Sequence, residues 1–218
     1  MLPLITPAIL AKDLQTFTEQ LQKVHTNYSS VQIDVMDGVF VDNKSFSERT
    51  ELNNIESEAY FELHLMVKDP IAELSQWIEV ANISSVVFHI ESDVNAEECI
   101  RHIRKHNWKV GIALNPETSL EKIIPLAPLV DEVLFMTVHP GHQGSVFLEE
   151  VLEKIKEFST KNGTGATISV DGGINEQTIK IAVDAGAQKL YVGNAIISAS
   201  NPEVAHENLI QAIGETTI

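Results

Sequence analysis

The sequence predicts an α/β fold closed into a (β/α)8 TIM barrel, one domain spanning residues 1–218. Three observations carry this reading. Short β-branched or apolar runs alternate with segments of helical periodicity from end to end. Eight such pairs follow one another with no linker or composition break, the pattern of a parallel sheet with crossover helices. Eight units within 218 residues favour a closed barrel over a doubly wound open sheet.

Each unit has a local reason. The first strand lies in the apolar run 4–10, and the first helix in 11–25 places Leu14, Phe17, Leu21 and Val24 on one face. Val31, Ile33 and Val35 are β-branched and favour a strand over a helix. A loop over 39–46 and a helix over 47–58 follow, then a third strand over 59–67. Pro70, suited to a first helical turn, opens a helix over 71–81. The fourth strand is expected at 85–90 with its helix at 96–106, the fifth at 109–114 with a helix at 119–127, and the sixth at 132–138. A loop, His139-Pro140-Gly141-His142-Gln143-Gly144, leads into a helix that ends near Phe158. The seventh strand covers 167–170, and Asn175 is placed to cap a helix that runs to Ala185 and stops at Gly186. The eighth covers 189–192, and a helix over 202–213 closes the chain.

Composition narrows the function classes. A net charge of -16, spread along the chain, argues against nucleic acid and anionic membrane surfaces as partners. Any anion site must therefore be made locally. The N-terminal residues, with two prolines and no basic stretch, predict no signal peptide, and no apolar run approaches the ~20 residues of a membrane span. Cys99 is the single cysteine, which excludes an internal disulfide and fits a reducing cytoplasm; its expected role is apolar filler.

The chemistry is expected at the C-terminal ends of the strands, where barrels of this kind place their sites. Gln32, Asp34 and Met36 share the face of the second strand opposite Val31, Ile33 and Val35. Two polar groups there are costly in a dry core and make sense in a polar site. The polar residues at strand ends are Asp34, Asp37, His64, His89 and Asp171. Asp34, His64 and Asp171 come from separate strands, and their convergence would make a carboxylate–imidazole–carboxylate site for a divalent transition ion. Two carboxylates facing across a substrate also suit proton transfer at carbon, one as base and one as acid. Gly141 and Gly144, Gly172 and Gly173, and Gly193 follow strands six, seven and eight, where glycine turns present backbone amides to anions such as phosphate.

Taken together, these segments resemble the ribulose-phosphate 3-epimerase family nearly end to end. The resemblance is carried by Pro7-Ala8-Ile9-Leu10, Ile33-Asp34-Val35-Met36-Asp37-Gly38, His64-Leu65-Met66-Val67 and Phe88-His89-Ile90-Glu91. It continues in Met136-Thr137-Val138 with Pro140-Gly141, in Val170-Asp171-Gly172-Gly173 and in Gly193-Asn194-Ala195-Ile196. It implies inversion at C3 of a pentulose 5-phosphate through a metal-stabilised enediolate. Asp34 and Asp171 would be the acid/base pair and metal ligands, with His64 as a third ligand. Met36, Met66 and Met136 would line the pocket as an apolar cap, Gly144, Gly172, Gly173, Gly193 and Asn194 would sit at the phosphate, and Gly141 would also bind substrate. A divalent metal cofactor (Zn, Mn, Fe, Co or Mg), a small sugar phosphate as partner, and homo-oligomeric assembly belong to the same implication.

The departures fall in the site. The family usually has histidine where this chain has Gln32, whose amide oxygen is a neutral ligand suited to harder ions than zinc. Ala8 stands where serine is usual, Asp42 where proline is usual, and His142-Gln143-Gly144-Ser145 where an aromatic-Gly-Gly-Gln run is usual. Two alternatives stay open at this level: a homologue shifted to another substrate such as a hexulose 6-phosphate, and a sugar-phosphate-binding homologue without turnover. The Asp-x-Lys-x-x-Asp pattern of related barrel decarboxylases is missing its lysine in Asp34-Val35-Met36-Asp37.

Overall fold

The computed structural model describes residues 2–214 except 143, 162 and 164. Gln143, in the loop after the sixth strand, therefore lies outside the described residues. The elements in chain order are β1 (Leu4–Ile9), α1 (Leu14–Gln22), β2 (Ser30–Met36), β3 (Tyr60–Met66), α2 (Pro70–Leu74), β4 (Ile83–His89), α3 (Ala96–Arg104) and β5 (Lys109–Leu114). They continue with β6 (Glu132–Met136), α4 (Val151–Lys161), β7 (Thr167–Asp171), α5 (Ile179–Asp184), β8 (Lys189–Val192), α6 (Asn194–Ile197) and α7 (Pro202–Gly214). The eight strands are parallel and close into a barrel in chain order, β8 pairing with β1 through Leu4–Lys189 to Pro7–Val192. The fold class expected from periodicity is the one found. No helix among the described residues is long and apolar enough to cross a membrane.

Several expected helices are shorter, each for a visible reason. Residues 47–58 form only a 3-10 turn, Arg49–Asn54. Asn53 is turned outward there, donating to the Glu79 carbonyl and accepting from the Ala81 amide. After Leu74 the chain continues in i→i+3 bonds (Gln76 to Glu73, Trp77 to Leu74, Val80 to Trp77) in place of the α-helix expected to Ala81. Residues 119–127 hold the 3-10 turn Leu120–Lys122, followed by a second at Ala127–Leu129. Pro125 and Pro128 remove two donors and forbid a continuous α-helix through that segment. Asn175 caps a turn by accepting from the Gln177 amide, and α5 begins only behind Thr178. Gly186 ends that unit as expected, at φ 115°.

Packing is divided by the barrel wall. The outer layer between sheet and helices holds Phe17, Leu21, Trp77, Ile103, Ile155 and Phe158. Inside the barrel, Ala8, Val87, Ala113, Leu134, Met136, Val138 and Tyr191 form a smaller apolar cluster beneath the strand ends. A buried polar layer joins it. The Lys189 ammonium reaches Glu62 and, at 3.4 Å, Glu132. The Tyr191 hydroxyl lies 2.8 Å from both carboxylates, and Ser169 donates to Glu132 at 2.6 Å. Burial opposes the charge on Lys189, but the two carboxylates outweigh it and raise its pKa; burial raises that of the Tyr191 phenol.

Candidate active site

The strand ends enclose a cavity of about 350 Å3. Asp34 and Met36 enter it from β2, His64 and Met66 from β3, Met136 from β6 and Asp171 from β7. Gly141, Gly144, Gly172, Gly173, Gly193 and Asn194 line its other side. Every one of these residues was expected in the site from sequence. Val31, Ile33 and Val35 are fully buried against the outer layer, so the alternation of β2 aims its two polar groups inward as periodicity predicts.

At the floor, three ionisable groups converge. His64 Nδ1 lies 3.1 Å from Asp34 Oδ1 and 3.3 Å from Asp171 Oδ2. Burial alone would lower the His64 pKa, but the hydrogen bonds and charges of Asp171 and Asp34 outweigh it and push it up to about 9. Burial raises the pKa of Asp34, the bond from His64 works against that, and the neighbouring Asp171 charge adds to it. The register Asp34–His64 across β2 and β3 makes the first contact local to one strand pair. Asp171 arrives from β7, which pairs with neither β2 nor β3 in the sheet.

Gln32 sits one pleat below, buried at 1% exposure. Its amide nitrogen donates to Asp34 Oδ1 at 3.0 Å and to Asp171 Oδ2 at 2.7 Å. The opposite orientation would set its carbonyl oxygen against two carboxylates. Its Oε1 has no hydrogen-bond partner among the described residues. Gln32 therefore holds the carboxylate pair together as a donor.

Asp37 is not in the cavity. It accepts from the backbone amides of Val39 and Phe40 at 2.8 Å and of Lys68 at 2.7 Å, and burial, which would raise its pKa, is outweighed by these bonds. It is a turn-builder, the plain alternative for an acid at a strand end. His89 is the polar group for which the sequence offered no role. It is fully buried, with Nε2 at 2.9 Å from His64 Nε2, and burial pushes its pKa down. Two glycines at the rim are required by close approach. At Gly172, φ is 113° and a Cβ would lie 2.5 Å from Val138; at Gly173 it would lie 3.0 Å from the Phe147 backbone. Tyr191, Ala8, His142 and Ser145 also line the cavity, Tyr191 because its ring spans from the buried polar layer to the floor.

The donor set suits a divalent ion. One ligand atom each from Asp34, His64 and Asp171 lie within 4.8 Å of one another, in the carboxylate and imidazole chemistry that such ions prefer.

The model of the ribulose-phosphate 3 epimerase family matches residues 4–197. The chain belongs to that family. Its curated relatives include ribulose-phosphate 3-epimerase of Schizosaccharomyces pombe, 35% identical over 205 residues that cover 91% of this chain and 89% of that one. The Treponema pallidum protein is 35% identical over 202 residues (90% and 92%), and that of Mycobacterium bovis 32% over 224 residues (99% and 95%). Solved structures share the barrel at lower identity. The 3-hexulose-6-phosphate synthase of Salmonella typhimurium aligns with a TM-score of 0.70 at 19% identity, covering 96% of this chain and 97% of that one. Orotidine 5'-phosphate decarboxylase of Pyrococcus horikoshii aligns with a TM-score of 0.66 at 16% identity, covering 98% and 100%.

Proposed function

We propose that the chain is a metal-assisted 3-epimerase of a ketose phosphate, interconverting ribulose 5-phosphate and xylulose 5-phosphate, in the cytoplasm and as a homo-oligomer. The observation that carries this reading is the pair Asp34 and Asp171, brought from non-neighbouring strands onto one imidazole at the floor of the cavity. Inverting a carbon next to a ketone needs a base to remove a proton and an acid to return one to the other face of the planar enediolate. A buried carboxyl whose proton affinity is raised, as at Asp34, is suited to accept a carbon-bound proton. Asp171, on the far strand, supplies the second carboxyl. Met36, Met66 and Met136 exclude water from the reacting carbon, and the turns at Gly141, Gly144, Gly172, Gly173, Gly193 and Asn194 take the phosphate end.

A divalent ion (Zn, Mn, Fe, Co or Mg) held by Asp34, His64 and Asp171 would supply Lewis-acid stabilisation of the negative charge that builds on the substrate oxygens. Gln32 would join that set through its amide oxygen only with the amide turned over from the orientation described above. The donor orientation favours a second reading, a sugar-phosphate binder that has lost turnover.

The deciding experiment is proton NMR with ribulose 5-phosphate in D2O, on protein first stripped of metal and then given manganese, zinc or cobalt. Metal-dependent deuterium incorporation at C3 with formation of xylulose 5-phosphate is expected, falling by about 10^2–10^4 in Asp34→Asn and Asp171→Asn. Binding of the sugar phosphate without exchange under any of these ions would select the second reading. Exchange with a hexulose 6-phosphate alone would shift the substrate.

A further inference from the structure

Behind His64, on the side away from the carboxylate pair, runs a second line of polar groups that the chemistry above does not use. His64 Nε2 faces His89 Nε2 at 2.9 Å, the rings nearly parallel at 18° with centroids 5.1 Å apart. His89 Nδ1 lies 3.4 Å from Glu91 Oε2, within ion-pair reach but outside hydrogen-bond geometry, and neither atom has a hydrogen-bond partner among the described residues. Glu91 is itself fixed, accepting at Oε1 from the Asn115 amide at 2.9 Å and from the Thr118 hydroxyl. The Phe40 ring lies 4.9 Å from that of His89 and covers it.

We propose that His89 and Glu91 are positioning residues that hold His64 with its Nδ1 turned to Asp34 and Asp171. This inference rests on the metal-assisted reading of the site.

The orientation follows from one end. The Glu91 carboxylate, 3.4 Å from His89 Nδ1, electrostatically favours the tautomer that turns an N–H and not a lone pair toward it. A neutral imidazole with its proton on Nδ1 has a lone pair on Nε2. The space between the two Nε2 atoms, 2.9 Å, holds one proton, and with His89 accepting, that proton belongs to His64. His64 Nδ1 is then left for the carboxylate side. Metal-ligating histidines are commonly oriented by a carboxylate that accepts from their other ring nitrogen. Here an imidazole is interposed, and it carries the orientation from the turn after β4 to the centre. Reversing any link would set two lone pairs or two hydrogens against each other in a buried site.

The test uses the whole chain with Zn2+ or Mn2+ alone as probe, measured by competition with a chromophoric chelator, and ring-proton NMR without metal. His89→Leu leaves the His64 Nε2–H without an acceptor and is expected to weaken binding of the ion by about 10–100-fold. It should also abolish a slowly exchanging, downfield ring N–H that wild-type protein shows and His64→Gln lacks. His89→Gln, whose amide both accepts and donates, should restore the N–H and most of the affinity. Glu91→Gln, which keeps the shape and loses the charge, should show a smaller loss in the same direction even if His89→Leu fails to fold. Unchanged ion binding and an intact His64 ring proton in His89→Leu, or no loss in Glu91→Gln, would overturn the inference. Wild-type protein that binds neither ion would defeat the metal-assisted reading instead, while the ring-proton comparison would still decide the orientation of His64.

Discussion

Replacing Lys189 with methionine removes the cation that Glu62 and Glu132 are paired with inside the barrel. The three side chains are each 9% exposed, so water can do little to screen what is left. Two carboxylates then share one phenol, Tyr191, which lies 2.8 Å from each. Stripping one partner from a buried ionic group typically costs about 3–5 kcal/mol. For a chain of this size each kcal/mol shifts the midpoint by about 2–4 °C, so a fall of about 6–20 °C is expected. Thermal denaturation followed by circular dichroism reads the fall in midpoint, and urea denaturation reads the free energy. Replacing all three ionic groups by apolar ones (Glu62→Leu, Glu132→Leu, Lys189→Met) should recover much of the loss, leaving mainly the Tyr191 hydroxyl unpaired. Since the Tyr191 ring also forms part of the cavity floor, the single variant should bind sugar phosphate more weakly. A single variant within about 1 kcal/mol of wild type at neutral pH, or a triple variant as damaged as the single, would refute this account of the polar layer.

Four further expectations follow from the site. His64, held protonated up to about pH 9 in the metal-free protein, must release that proton to ligate an ion, so affinity should rise about tenfold per pH unit from 7 to 9 and level off above; calorimetry in buffers of different ionisation enthalpy counts the proton, and a flat profile would contradict the shift. The same raised pKa means that in metal-free protein the stabilisation from His64 is fully present below its ordinary value of 6.5 and is lost as pH rises through about 9, which denaturation midpoints would report. Gln32→His exchanges a bridging donor for an imidazole and should strengthen zinc binding relative to manganese, read in a chelator competition; equal affinities before and after would show that position 32 does not reach the ion. Gly172→Ala forces a Cβ against Val138 at a φ of 113° and should cost about 1–3 kcal/mol, with C3 exchange falling further than stability because Asp171 immediately precedes the turn.

Periodicity alone determined the barrel. Val31, Ile33 and Val35 on one face of β2, and the repeated alternation of apolar strands with helical spacing, leave little else for a chain of eight units to do. The same period-two logic turned Gln32, Asp34 and Met36 inward, and the rule that barrel chemistry sits at strand C-termini picked out His64 and Asp171. Tertiary structure decided what those groups do to one another. Asp171 meets His64 only because the sheet closes, and the raised pKa of His64 is a sum over two carboxylates far apart in sequence. Gln32 was legible as a polar residue facing the site, but whether its amide donates or ligates depends on which atoms surround it in space. His89 and Glu91 stood in plain view two residues apart, yet their line runs from the turn after β5 through Glu91 and His89 of the β4 unit to His64 on β3, a path no local pattern encodes. One helix failed for a related reason: Asn53 bonds to Glu79 and Ala81 of the following unit, and those contacts override the propensity of its own segment. Sequence fixes which faces are buried because burial repeats along the chain; it leaves open how buried polar groups pair, because pairing is set by distances across the closed barrel.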